Sequence, residues 1–236
     1  MSDVVSEADR VERTRGAYDT VAETYAAVVP ERFEQDVVGR AMLAAFAERV
    51  AREGELALPV ADVGCGPGHV TAHLHALGLP MLGVDLSPEM VRIAEQRHPE
   101  QRHPQLRFEV GEMARLDLAD ASLGGLVSWW SLVHTAPDQL PAAFAEFHRV
   151  LVPGGQLLLG FHGGTGGRKQ LDCPYGHDVD LVLHRHRAED VAAQLGKAGF
   201  TVDARLVQGQ DPTRTSVCLL AYKSLLADKP MLATAE

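Results

Sequence analysis

The spacing of apolar and polar positions changes character near residue 58. In RTRGAYDTVAETYAAVV, Ala17, Tyr18, Val21, Ala22, Tyr25 and Val28 recur at three- and four-residue steps, which predicts an amphipathic helix. VVGRAMLAAFAERVARE is dense in strong helix formers and predicts a second helix ending at Gly54. From Leu58 short apolar runs take over: PVADVG (59–64), PMLGVD (80–85), LRFEVG (106–111), GLVSWW (125–130) and GQLLLGF (155–161). Helical segments separate them: HVTAHLHALG, SPEMVRIAEQR and PDQLPAAFAEFHRVL. Strands alternating with helices of this length predict βαβ units, a parallel sheet with helices on both faces.

Local punctuation agrees with that pattern. Ser87-Pro88 places an N-cap ahead of a proline at the first helical position. Pro153-Gly154-Gly155 is expected to stop a helix and turn the chain into a strand. Residues 162–180, HGGTGGRKQLDCPYGHDVD, show no periodicity and are expected to form a loop over the carboxyl ends of the strands. AEDVAAQLGKAG predicts a last helix, and TVDARLV with SVCLLAYKS an antiparallel closing pair, before a frayed tail, ADKPMLATAE. The expected fold is α/β and doubly wound, a Rossmann-like and mostly parallel sheet with an antiparallel closing strand and extra N-terminal helices.

Composition narrows the function classes. The chain has 236 residues, and 22 Lys+Arg against 32 Asp+Glu give a formal charge of −10. That balance opposes a phosphate backbone, so no nucleic-acid partner is expected. No apolar run approaches the roughly 20 residues that span a bilayer, and the acidic, polar start MSDVVSEADRVER is unlike a secretory signal. Cys65, Cys173 and Cys218 at scattered spacings do not make a disulfide framework. A cytoplasmic protein without membrane insertion is expected.

The most informative segment is Val60-Ala61-Asp62-Val63-Gly64-Cys65-Gly66-Pro67-Gly68-His69, a buried strand running into a tight glycine turn and a helix. Glycine is needed where a ligand approaches the backbone closely. The dinucleotide fingerprint is G-x-G-x-x-G; here the spacing is G-x-G-x-G, with His69 at the third fingerprint position. Asp62, two residues before Gly64, suits a cationic ligand better than a pyrophosphate. This spacing argues against NAD. Asp85 ends the second strand, where a carboxylate can accept both hydroxyls of a ribose. Glu112 and Met113, after the third strand, offer an acid to the edge of a purine and a thioether to its face.

DVGCGPGHVTAHL, GVDLSPEM, GEMARLDL and RVLVPGG before GQLLLGF together resemble the successive motifs of class I S-adenosylmethionine-dependent methyltransferases. The resemblance covers roughly residues 15–161, more loosely to about 223. AYDTVAETYA resembles the segment ahead of the glycine loop in the small-molecule branch that includes quinone-biosynthesis methyltransferases. The resemblance implies that Asp62, Gly64, Cys65 and Gly66 cradle the amino-acid end of the cofactor and that Asp85 holds its ribose. It implies Leu86 on the adenine, Glu112 and Met113 flanking it, Trp129 near the methionyl portion, and Tyr25 closing over the cofactor. Many relatives carry Asp where this chain has Glu112. One domain over 1–236 is expected: a helical lid (1–55), a cofactor-binding core (56–161), a substrate-side loop (162–180), a C-terminal helix with closing strands (181–224), and a tail (225–236).

The cofactor S-adenosylmethionine, leaving as S-adenosylhomocysteine, would supply the methyl, and the protein alignment and exclusion of water. His134, just beyond the fourth strand in WWSLVHTAPDQL, is the candidate base; it could equally shape the pocket or cap the next helix. His162 is a pocket or loop-packing candidate, and Trp129-Trp130 a stacking pair of which one belongs to the core. The histidines invite a metal reading, but His162, Cys173, His177, His184 and His186 lack metal-ligand spacing, so no metal is expected. RIAEQRHPEQRHPQLR (92–107) mixes arginines with acids and reads as a solvated face. A small-molecule methyltransferase is thus the expected enzyme. The alternatives are an RNA or protein methyltransferase, a non-catalytic S-adenosylmethionine-binding module, and a nicotinamide oxidoreductase.

Overall fold

The computed structural model describes residues 6–52, 58–99 and 104–225. Two helices lead, α1 (Glu7–Gln35) and α2 (Val37–Arg52). The alternating region follows as β1 (Val60–Val63), α3 (His69–Ala76), β2 (Met81–Asp85), α4 (Pro88–Arg97), β3 (Leu106–Val110), β4 (Leu123–Trp129), α5 (Leu140–Val150) and β5 (Leu151–Gly163). A small ribbon, β6 (Arg168–Leu171) and β7 (Leu181–His184), precedes α6 (Ala188–Lys197), β8 (Phe200–Gln208) and β9 (Thr215–Lys223). The helix predicted to end at Gly54 and the tail from residue 226 reach outside the described residues.

Seven strands form one sheet in the order β3-β2-β1-β4-β5-β9-β8, parallel except for β9, which runs antiparallel to both neighbours. Every residue of β1 and β4 is buried, as expected for central parallel strands covered on both faces. α5 and α6 cover one face through Phe144, Phe147 and Leu195; α2, α3 and α4 cover the other through Phe46, Leu74 and Ala94. Gly125 lets α2 press onto the sheet, because a Cβ there would lie 2.9 Å from both Phe46 and Val50. The chain order reverses between β1 and β4, and the carboxyl edge at such a switch point is where these sheets bind ligands.

α1 reaches this edge by packing Ala22 and Ala26 on Met90 and Ile93 of α4. Polar ties fix its rotation: Ser87 Oγ, the N-cap of α4, donates to Asp19 at 2.6 Å, and Arg92 pairs with Glu23 at 2.7 Å.

Two expectations are corrected. α5 ends at Val150, ahead of Pro153-Gly154-Gly155, and the chain enters β5 at once. The three residues instead form an excursion within β5, since Leu123 pairs with Leu151 while Gly125 pairs with Gln156. Proline has no N–H for a ladder and sits where pairing is interrupted. Residues 162–180 are also not all loop: β5 runs through His162, and β6 pairs antiparallel with β7. The ribbon takes support from the Leu132–His134 turn, where the Val182 carbonyl meets the imidazole. Such a contact is invisible to a pattern of alternating residues.

Candidate active site

Gly64 and Gly66 hold φ of 80° and 53°, the left-handed region that glycine enters without strain. A Cβ on Gly64 would lie 2.2 Å from Ser131 Cβ, and one on Gly66 would face Tyr25 at 3.6 Å. The first glycine therefore admits the chain following β4, and the second lies beneath the Tyr25 ring of α1. Asp85 closes the same turn: its carboxylate accepts the Gly66 N–H at 2.7 Å and the Ser87 N–H at 2.9 Å. Burial pushes its pKa up to about 6, although the backbone N–H groups pull it down.

These groups open onto a cleft of about 1010 Å³, open solvent at its mouth included. Leu86, Glu112 and Met113 line it beside Asp85. Trp129 and Trp130 both reach its wall, because Trp130 adopts φ 58° and breaks the alternation of the strand. Trp129 is nearly buried, packed over Gly160, whereas Trp130 lies against His162, ring centroids 5.1 Å apart. His162 itself does not line the cavity.

Asp62 and Cys65 are a correction to the expected cradle, since neither lines the cavity. Asp62 is fully buried; Thr71 Oγ1 donates to its Oδ2 at 2.7 Å, and its Oδ1 has no partner. Burial raises its pKa to about 7. Cys65 points into the core, where a Cβ on Gly83 would lie 3.0 Å from its sulfur. Asp62 lies within β1 and Cys65 in the turn after it, and both side chains pack behind the Gly64–Gly66 backbone.

His134 lines the cavity and meets two partners that fix its tautomer. The Val182 carbonyl, 2.7 Å from Nδ1, can only accept, so Nδ1 carries the proton. Nε2 therefore accepts the Tyr18 hydroxyl at 2.7 Å. Burial lowers the His134 pKa to about 4 and lifts that of Tyr18 well above its ordinary value. At neutral pH the pair is uncharged, a phenol hydrogen-bonded to an imidazole nitrogen, with both residues on the cavity wall.

Tyr18 is the residue that sequence reasoning missed. Its signal was its place seven residues ahead of Tyr25, on one helix face; the structure puts Glu7, Val11, Thr14, Tyr18 and Tyr25 of α1 along the cavity. Among the described residues no group of three or more His, Cys, Asp or Glu is placed to hold a metal ion. No described helix is long and apolar enough to cross a membrane. In the basic stretch Arg92 is paired with Glu23 and Glu89.

Comparison with known proteins bears on the same residues. A family model described as "Methyltransferase domain" matches residues 60–155. A malonyl-[acyl-carrier protein] O-methyltransferase of Erwinia billingiae is 34% identical over 116 residues, 49% of this chain and 41% of that protein. A demethylmenaquinone methyltransferase of Chlorobaculum parvum is 32% identical over 115 residues, 48% of this chain and 45% of that protein. The chain thus spans less than half the length of these curated relatives. Among solved structures, magnesium protoporphyrin IX methyltransferase of Synechocystis, with bound S-adenosylmethionine, superposes with a TM-score of 0.68 at 18% identity. That superposition covers 92% of this chain and 98% of the other, which establishes the shared fold. The glycine turn and the Asp85 edge thus lie within the segment that matches a methyltransferase domain, and the chain as a whole shares the fold of that solved methyltransferase.

Proposed function

We propose that this protein transfers a methyl group from S-adenosylmethionine to a small-molecule acceptor by in-line displacement. The observation that carries the reading is a single cavity joining the Gly64–Gly66 turn and Asp85 to the Tyr18–His134 pair. The residues present fit the cofactor. Bare backbone at Gly64 and Gly66 admits close approach, Asp85 offers a carboxylate to ribose hydroxyls, and Leu86 with Met113 offers apolar faces to adenine. Glu7, Asp85 and Glu112 against Arg10 leave the wall net acidic, which suits a cationic ligand. Tyr25 and Trp129, both on the cavity wall, would hold the cofactor from above and at its methionyl end, and Asp62 with Cys65 would support the loop from behind.

When bound, the cofactor supplies a methyl on a sulfonium that leaves as a neutral thioether. The chain's own residues align the acceptor and receive its proton. Tyr18 passes its hydroxyl proton to His134 Nε2 as it takes one from the acceptor, and the Val182 carbonyl steadies the imidazolium through Nδ1–H. A positioned acid–base pair of this kind contributes about 10²–10⁴ in rate. Burial under α1 excludes water from the exchange.

A small molecule rather than nucleic acid is favoured by the net charge of −10 and the acidic cavity wall. Three unpaired cysteines, two of them buried, favour a reducing cytoplasm. The test is calorimetric titration with S-adenosylhomocysteine, with NAD as control, followed by an acceptor screen with labelled methyl donor. Micromolar binding to the first and none to the second is expected. Binding without transfer to any acceptor would indicate a non-catalytic module, and binding to NAD alone would refute the reading.

A further inference from the structure

Arg10 is the only cationic side chain among the described residues that line the cavity. Its Nε is buried and has no hydrogen-bond partner. Its ion pair, to the exposed Asp138 at 3.8 Å, is the longest of those among the described residues. Glu7, one helical turn before it and also on the cavity rim, forms no ion pair with it. A buried donor left without an acceptor carries the desolvation penalty of that group. Here it belongs to a guanidinium, which stays charged.

We propose that Arg10 is a specificity-determining residue, and that the methyl acceptor carries a carboxylate which binds side-on to its Nε and one Nη. This rests on the methyltransferase reading and names the acceptor's class. A single guanidinium beside Glu7 and Asp138 matches a monoanion; a phosphate dianion would call for further cations. Eight residues of α1 separate Arg10 from Tyr18, about 12 Å along the helix axis. The carboxylate is therefore an anchor remote from the transfer end, and the nucleophile is a different group of the same molecule. Val11 and Trp130 give the intervening cavity apolar walls, so the linking part of the acceptor is apolar.

The experiment is calorimetry on the full chain with matched acid and amide probes, with and without saturating S-adenosylhomocysteine. The pairs are benzoate and benzamide, hydrocinnamate and hydrocinnamamide, and phenylvalerate and phenylvaleramide; phenyl phosphate tests the dianion. At least one acid should bind about tenfold more tightly than its amide, the scale of one charge-assisted pair. Arg10→Gln should abolish that contrast while leaving S-adenosylhomocysteine affinity and the melting temperature unchanged. Arg10→Lys should restore part of it. Arg13→Gln, on the same helix but paired with Asp180, should change nothing. Acids binding no better than amides, a contrast that survives Arg10→Gln, or phenyl phosphate outbinding every acid would each overturn the proposal. Failure of S-adenosylhomocysteine to bind would instead count against the methyltransferase function, and the acid–amide contrast would still be read without it.

Discussion

His134 should be neutral, protonated on Nδ1, and resistant to charging until well below physiological pH. The geometry sets the tautomer, since the Val182 carbonyl on Nδ1 can only accept and the Tyr18 hydroxyl is left to donate to Nε2. Burial sets the pKa, lowered from 6.5 to about 4. That difference corresponds to about 3 kcal/mol against placing a proton on the folded protein's imidazole. Because the unfolded chain binds the proton more readily, this contribution to stability is complete above about pH 6.5. It is lost progressively as the pH falls toward 4. Long-range nitrogen–proton correlation NMR over a pH series reads both quantities on one residue. Tyr18→Phe removes the donor to Nε2 and leaves that buried acceptor unpaired among the described residues, so stability should fall by about 1–3 kcal/mol. Turnover, once an acceptor is in hand, should fall by about 10²-fold or more, with S-adenosylhomocysteine affinity held within about threefold. The double variant Tyr18→Phe/His134→Gln should cost little more than either alone, as expected of residues acting as a unit. A His134 that titrates near 6.5, or that carries its proton on Nε2, would refute the proton path.

Asp85, whose pKa burial raises to about 6, should bind S-adenosylhomocysteine as the carboxylate; affinity measured by calorimetry should weaken by up to about tenfold per pH unit below pH 6, and Asp85→Asn should be weaker and flat with pH. Gly64→Ala forces a side chain into the left-handed region and against Ser131 at 2.2 Å; a melting-temperature loss equivalent to about 2 kcal/mol or more, with loss of cofactor binding, is expected. Thr71→Val removes the donor to Asp62, a fully buried acid whose pKa is raised to about 7. Its cost of about 1–3 kcal/mol in denaturant unfolding should be larger at pH 8 than at pH 6, where the protonated carboxyl tolerates burial better.

What could be read from the chain alone is what neighbouring residues decide. The alternation of strands and helices, the Ser87-Pro88 start of α4, and the convergence of Gly64, Gly66, Asp85 and Met113 on one sheet edge follow from short-range period and spacing. In a doubly wound sheet every strand delivers its carboxyl end to the same edge, so four local motifs suffice to assemble most of a cavity. The tertiary structure decided the rest. Asp62 and Cys65 sit in the motif but turn into the core, where Thr71 of α3 holds the acid and Gly83 of β2 leaves room for the sulfur. The β6–β7 ribbon packs against the Leu132–His134 turn, although the glycine-rich, polar 162–180 segment that contains β6 shows no period. Tyr18 and His134 are 116 residues apart, and only the docking of α1 on α4 and of β7 on that turn brings a phenol and a carbonyl to the two nitrogens of one ring. Local spacing fixes which groups the chain offers; burial and long-range packing fix their partners, and the partners set protonation and chemistry.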